Sequence, residues 1–313
     1  MRQGKWVKCA CIAYGGGDTM DIGLRQSRFG PPAEGLCQTL FGDREERTAM
    51  AMRTRHHTVW LGFTLIELLV VIAIIALLMA ILMPALQRVR EQGKAVACQA
   101  NMRQWALYFS MYTNDNNGRF HRGWNVGSEP RTSWMEVFRP YYLQQRKICF
   151  CPTATKPDPR GGRFAYVAWG PNFHQEYGSY GINLYVTDPM PGKEGGKPAS
   201  YYWRQRDVRE AAEIPMFVDD RWWDTRPHHT DQPPTIEGQR DDWTTNAMKM
   251  ICLLRHNGFV YGAFVDFSAR KIGLKELWTL RWHREFDTRG PWTKAGAVQA
   301  QDWPEWMKGF KDY

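Results

Sequence analysis

Residues able to do chemistry lie mostly in the C-terminal half of the chain. His256 and Asp266, separated by nine residues, could exchange a proton if folding brings them together. Their surroundings, Arg255-His256-Asn257-Gly258 and Phe264-Val265-Asp266, read instead as two strands joined by a turn, which makes a structural hydrogen bond across a hairpin the better expectation. Asp219, Asp220, Asp224 and Asp266 offer oxygen ligands that a loop could gather around calcium, although their spacing is not that of an EF-hand. His228-His229 reads as an exposed loop pair, and the histidine spacing carries no zinc signature. Gly15-Gly16-Gly17 lacks the Gly-Lys-Ser/Thr ending of a phosphate loop. No nucleophile motif accompanies these residues, so the sequence predicts no enzyme.

The element that must position everything else is an apolar run. Phe63 to Met83 contains fourteen Leu, Ile, Val or Phe residues and one charge, Glu67. Its length matches the roughly 20 helical residues that cross a hydrocarbon core, and the apolar side chains outweigh the cost of one acid near the end. A mean hydropathy of −0.52 over 313 residues excludes a polytopic membrane protein. The net charge of +9 is spread among interspersed acids, so nucleic-acid binding is not expected. Beyond Pro84, which can kink a helix, Leu86, Val89, Gly93, Val96 and Ala100 recur at three- and four-residue spacing and predict an amphipathic continuation. Thr113-Asn114-Asp115-Asn116-Asn117-Gly118 ends it, so one helix is expected over residues 63–112, about 75 Å long. Residues 113–313 then change to short extended runs. Phe164 to Trp169, Tyr180 to Val186 and Ile214 to Val218 read as strands, and Met248 to Leu254 with Phe259 to Asp266 as a hairpin. Asp188 to Gln205 and Arg226 to Asp241 read as surface loops on one α+β head.

Leu61-Gly62-Phe63-Thr64-Leu65-Ile66-Glu67-Leu68-Leu69-Val70-Val71-Ile72 resembles the cleavage and methylation signature of type IV prepilins and type II secretion pseudopilins. The resemblance implies a long N-terminal helix packed on an antiparallel sheet. It implies cleavage after Gly62 by a prepilin peptidase and methylation of the new amine of Phe63. It also implies that Glu67 pairs with the amine of a neighbouring subunit during assembly, in keeping with the general need of an intramembrane carboxylate for a partner. Presence of Glu67 argues against the tip-type pseudopilin that lacks it. The implied partners are the peptidase and methyltransferase, other pilin subunits, inner-membrane lipid and the assembly machinery. The implied location is a single-pass inner-membrane protein with a cytoplasmic leader, marked by Arg53 and Arg55, and a periplasmic head that later joins a filament. A second resemblance, to the large pilin-like proteins common in planctomycete and verrucomicrobial lineages, rests on His256, nine residues and Asp266. It departs from that pattern in having Phe267 where glycine is expected. No cofactor is required by either resemblance; calcium is the candidate because related compact pseudopilins use it to stabilise a C-terminal loop.

Cleavage would remove Cys9, Cys11 and Cys37 and leave Cys98, Cys149, Cys151 and Cys252 facing an oxidising space, with three fully paired disulfide connectivities open. Cys149 and Cys151 would point the same way on a strand and each find a distant partner more readily than the other. A Cys-x-Cys zinc site would lack a second matching pair. A 62-residue leader is long for this family, so residues 1–49 read as an over-extended start, with Met50 or Met52 as the true one. The abundant tryptophans suit either a packed head or, as the alternative function, a membrane-tethered protein whose aromatic surface binds glycan or another envelope ligand.

Overall fold

The computed structural model describes residues 64–123, 133–157, 165–172, 175–238 and 246–313. Helix α1, Leu65–Asp115, is continuous through Pro84. It starts on a reciprocal cap: the Glu67 backbone N–H donates to Thr64 Oγ1 at 3.2 Å, while Glu67 Oε2 accepts from the Thr64 backbone N–H at 2.8 Å. Along its apolar half every large side chain is exposed, and that half is long and apolar enough to cross a membrane.

The C-terminal half of α1 packs through Cys98, Met102, Trp105, Phe109 and Thr113, an i, i+4, i+7 stripe. This corrects the amphipathic face read from the sequence. Leu86, Val89 and Val96 are 51–67% exposed, because Val96 and Ala100 lie two residues either side of Cys98, about 200° around the axis. The stripe was obscured by its composition, since Cys98, Met102 and Trp105 do not form an aliphatic repeat.

Helix α2, Trp134–Tyr142, begins on a second reciprocal cap between Ser133 and Glu136 and buries Trp134, Met135, Phe138 and Tyr142 against α1. Five short strands follow: β1 Tyr180–Asn183, β2 Pro215–Asp219, β3 Asp224–Thr225, β4 Phe259–Phe264 and β5 Ala269–Gly273. Their order is β3-β1-β2-β4-β5. Tyr180 faces Asp219 and Ile182 faces Phe217 in antiparallel register, and β2–β4 and β4–β5 are also antiparallel. The sheet is nevertheless mixed rather than antiparallel, because Asp220 to Trp223 carries the chain past the end of β1 and returns it as β3, parallel to β1.

The two faces of the sheet build two cores. Phe217 and Ala263 join α1 and α2, whereas Val218, Val260, Phe264 and Ile272 pack under Met248, Leu253, Leu277, Trp278, Trp282 and Met307. Alternation along each strand divides the side chains between these layers.

The expected hairpin is displaced by one strand. Met248–Ile251 forms one helical turn, α3, and the observed hairpin joins β4 to β5. Asn257 and Gly258 do have the positive φ values expected of them, 51° and 90°, but they lead into β4 from irregular chain. The β4–β5 turn places Phe267 at φ 66°, the left-handed region that favours glycine, which accounts physically for a glycine expected at this position. Phe267 offsets the cost by packing at the edge of the first core. Of the expected Phe164 to Trp169 strand, Phe164 lies outside the described residues, and Ala168 and Trp169 make only isolated bridges to Pro157 and Gly178.

Candidate functional site

Gly62 and Phe63, the expected processing residues, lie outside the described residues. Glu67 stands in the first turn of α1, where Thr64 holds its carboxylate through the backbone N–H and through the hydroxyl, both at 2.8 Å. The carboxylate thus points back toward the N-terminal end of the helix. Around it Leu65, Ile66, Leu68 and Leu69 are exposed, so the segment presents an acid within an apolar surface that the head does not cover.

The head gathers a different set of residues. Cys98 comes from α1, Cys151 from the loop after the 3-10 helix Leu143–Cys149, Asp219 from the end of β2, and His256 from the turn before β4. Their ligand atoms all lie within 4.8 Å of one another, and all four residues are buried. Cys98 Sγ is 3.5 Å from Asp219 Oδ2, Cys151 Sγ is 3.2 Å from His256 Nε2, and that same Nε2 is 3.6 Å from Asp219 Oδ2. Neighbours surround the four: Tyr180 donates its hydroxyl to Cys98 Sγ at 3.3 Å, Tyr261 N–H donates to Asp219 Oδ2 at 2.8 Å, and Thr153 Oγ1 lies 2.9 Å from Cys151 Sγ. Arg255, also fully buried, places Nη1 3.3 Å from Asp219 Oδ1 and donates to the carbonyl oxygens of Ser179 and Asp220.

Ionisation follows from this packing. Burial raises the Cys98 thiol well above its ordinary value, helped by its hydrogen bond with Cys151 and by the Asp219 charge. Burial acts in the same direction on Cys151, but hydrogen bonds with Cys98 and His256 and the Arg255 charge outweigh it and bring that thiol down to about 3. Burial and the Cys151 charge push Asp219 up to about 7 against the pull of His256 and Arg255. Burial alone would lower His256; the hydrogen bond to Cys151 and the Asp219 charge leave it raised. Of the two thiols, Cys98 is thus shifted up and Cys151 down. A cysteine–histidine–aspartate relay would need the thiol and the carboxylate on opposite ring nitrogens, whereas here both approach Nε2.

Several expected partnerships are corrected. His256 turns inward to Cys151 and Asp219, while Asp266 accepts from Ser268 N–H at 2.9 Å and from its hydroxyl at 2.7 Å, closing the β4–β5 turn. The hairpin pair therefore does not form, because β4 separates the two residues. The four aspartates do not converge as a calcium set among the described residues: Asp219 faces the cysteines, Asp220 Oδ1 accepts from Trp222 N–H, and Asp266 holds its turn. Cys98, Cys149, Cys151 and Cys252 are free thiols; Cys252 lies in the second core with Met307 Sδ at 4.0 Å. The His228 and His229 rings lie tilted against each other with centroids 4.0 Å apart, and with His283 they make a second group of closely spaced imidazoles. Sequence spacing picks out the adjacent His228-His229 pair but assembles neither group, because Cys98, Cys151, Asp219 and His256 stand at least 37 positions apart and His283 lies 54 positions beyond His229. The cap of α2 was readable, since Ser133-x-x-Glu136 is a helix-start pattern.

Comparison with known proteins bears on the N-terminal segment. The family model for the prokaryotic N-terminal methylation motif matches residues 61–83. The type IV wide pilus major component PilA4 of Thermus thermophilus is 46% identical over 56 residues, which are 18% of this chain and 43% of that protein. The match thus spans less than half the length of that relative. No solved structure matches. The motif, the relative and the long apolar helix together support a type IV pilin-family protein, and the helix, long and apolar enough to cross a membrane, carries an α+β head.

Proposed function

We propose that the chain is a structural subunit of a type IV pilus or type II secretion pseudopilus, cut after Gly62, methylated at Phe63 and polymerised through α1. One observation carries this reading. The methylation motif at residues 61–83 overlaps the start of α1, Leu65 onward, whose apolar side chains the head leaves uncovered and whose first turn holds Glu67. Such a surface is stable only in lipid or against like helices. Inner-membrane lipid, a prepilin peptidase and methyltransferase, further pilin subunits and an assembly machine are the partners this implies. The head would face the periplasm before assembly. The reading assigns the protein no catalytic step of its own.

The alternative of an aromatic glycan-binding surface gains little support. Trp105, Trp134, Trp169, Trp203, Trp223, Trp278, Trp282 and Trp303 are buried, and Trp222, Trp292 and Trp306 are only half-exposed.

N-terminal analysis of the chain recovered from membranes tests the proposal. The expected result is a methylated Phe63 as the first residue; an unprocessed chain would overturn it. Glu67→Ala is expected to abolish filament assembly while the head still folds, because Glu67 lies far along α1 from every buried residue.

A further inference from the structure

From the geometry of Cys98, Cys151, Asp219 and His256 we infer a structural zinc site that fastens α1 to the head. A tetrahedral zinc ion with bonds of about 2.0–2.3 Å to nitrogen, oxygen and sulfur sets its ligand atoms about 3.3–3.8 Å apart. The spacings of 3.5, 3.2 and 3.6 Å around this cluster fall at or next to that range. Two sulfurs, one imidazole nitrogen and one carboxylate oxygen form a closed, four-coordinate set that favours zinc over the oxygen-seeking calcium and magnesium. The convergence of both Cys151 and Asp219 on a single histidine nitrogen is what ligation requires. The surrounding donors also suit such a centre: Tyr180 hydroxyl to Cys98, Tyr261 N–H to Asp219, and Arg255 to the other Asp219 oxygen.

Charge supports the assignment. Zinc with two thiolates, one carboxylate, a neutral imidazole and the buried Arg255 guanidinium sums to zero, so loading places no uncompensated charge in the interior. A groove of about 670 Å³, bordered by Arg88, Glu91 and Lys94 of α1 and by Thr153, His256 and Asn257 of the head, opens beside the cluster. Cys98 is the first buried residue of α1 after its exposed segment. Tension along α1 would reach the head at this point, and three ligands drawn from distant parts of the head would share it.

The test uses the full chain extracted in detergent, with bound metal measured per chain, and its outcome does not depend on polymerisation. One equivalent of zinc is expected to disappear in Cys98→Ser and in His256→Ala and to remain in Cys149→Ser. Tyr180→Phe, which removes only a supporting hydrogen bond, is expected to weaken zinc binding about 10-fold or more. Because a ligand variant could lose zinc simply by unfolding, the wild-type chain is also stripped with chelator and reloaded with cobalt(II). Thiolate-to-cobalt charge-transfer absorption with intense tetrahedral bands is expected. Absence of that absorption would overturn the inference, as would zinc retained in a Cys98→Ser, Cys151→Ser double variant. So would a non-reduced mass lower by two hydrogen atoms that localises to a Cys98–Cys151 disulfide.

Discussion

At the residue scale, burial decides more than residue type. His121 is enclosed beside Phe109 and Phe138, its Nδ1 accepting from Gly123 N–H at 3.1 Å, and burial lowers its pKa to about 3 from the usual 6.5. The unfolded chain therefore takes up this proton as pH falls below about 6.5, whereas the folded head resists until about 3. His121 thus removes stability on acidification across that window, at up to about 1.4 kcal/mol per pH unit. Denaturation midpoints of wild type and His121→Phe at pH 7 and pH 5 are expected to show a smaller acid loss in the variant. Gly181 is a tighter constraint. A Cβ there would lie 2.8 Å from Cβ of Asp220 in the middle of β1, so Gly181→Ala is expected to cost about 1–3 kcal/mol in urea denaturation. Neither effect was legible in the sequence, because both arise from a neighbour brought up by the fold.

At the element scale, α1 has two faces with different work. Trp105 stacks against Phe217 at 5.2 Å between ring centroids and lies edge-on to Trp134 at the same distance, so Trp105→Ala is expected to destabilise the head by about 3–5 kcal/mol. Val89 and Val96 point away from that core. A Val89→Asp, Val96→Asp pair should change head stability by less than about 1 kcal/mol yet block filament formation, as read by urea denaturation and by electron microscopy of sheared filaments. Assembly unaffected by the pair would place the subunit contact elsewhere on the helix. The length and position of α1 were legible, ending three residues beyond the expected Tyr112, because Thr64 and the Asn-rich stop are local signals. Which face of its second half is buried was not, since two candidate stripes of similar period run along it and only the sheet chooses between them.

At the scale of the whole molecule, a membrane-length helix carries a head with a core on each side of a short mixed sheet. The second core depends on the end of the chain. Trp303 and Met307 pack beside Trp278, and Lys275 pairs with Asp312 at 2.7 Å. Removing residues 300–313 is expected to expose that core, and limited proteolysis should then cut the rest of the head at protease levels that leave the full chain intact. Survival of the truncated head would show that β2, β4 and β5 are held mainly from the α1 side.

The apolar helix, the Glu67 motif and the α+β class are legible along the chain, because each follows from signals within a few neighbouring residues: hydrophobic length, the local motif and a change of period. The parallel placement of β3, the inward turn of His256 away from Asp266, and the union of Cys98, Cys151, Asp219 and His256 emerge from the folded chain alone. These depend on contacts between residues 37 to 158 positions apart. Such contacts are set by how the sheet and helix pack as bodies, and spacing along the chain carries no record of that packing.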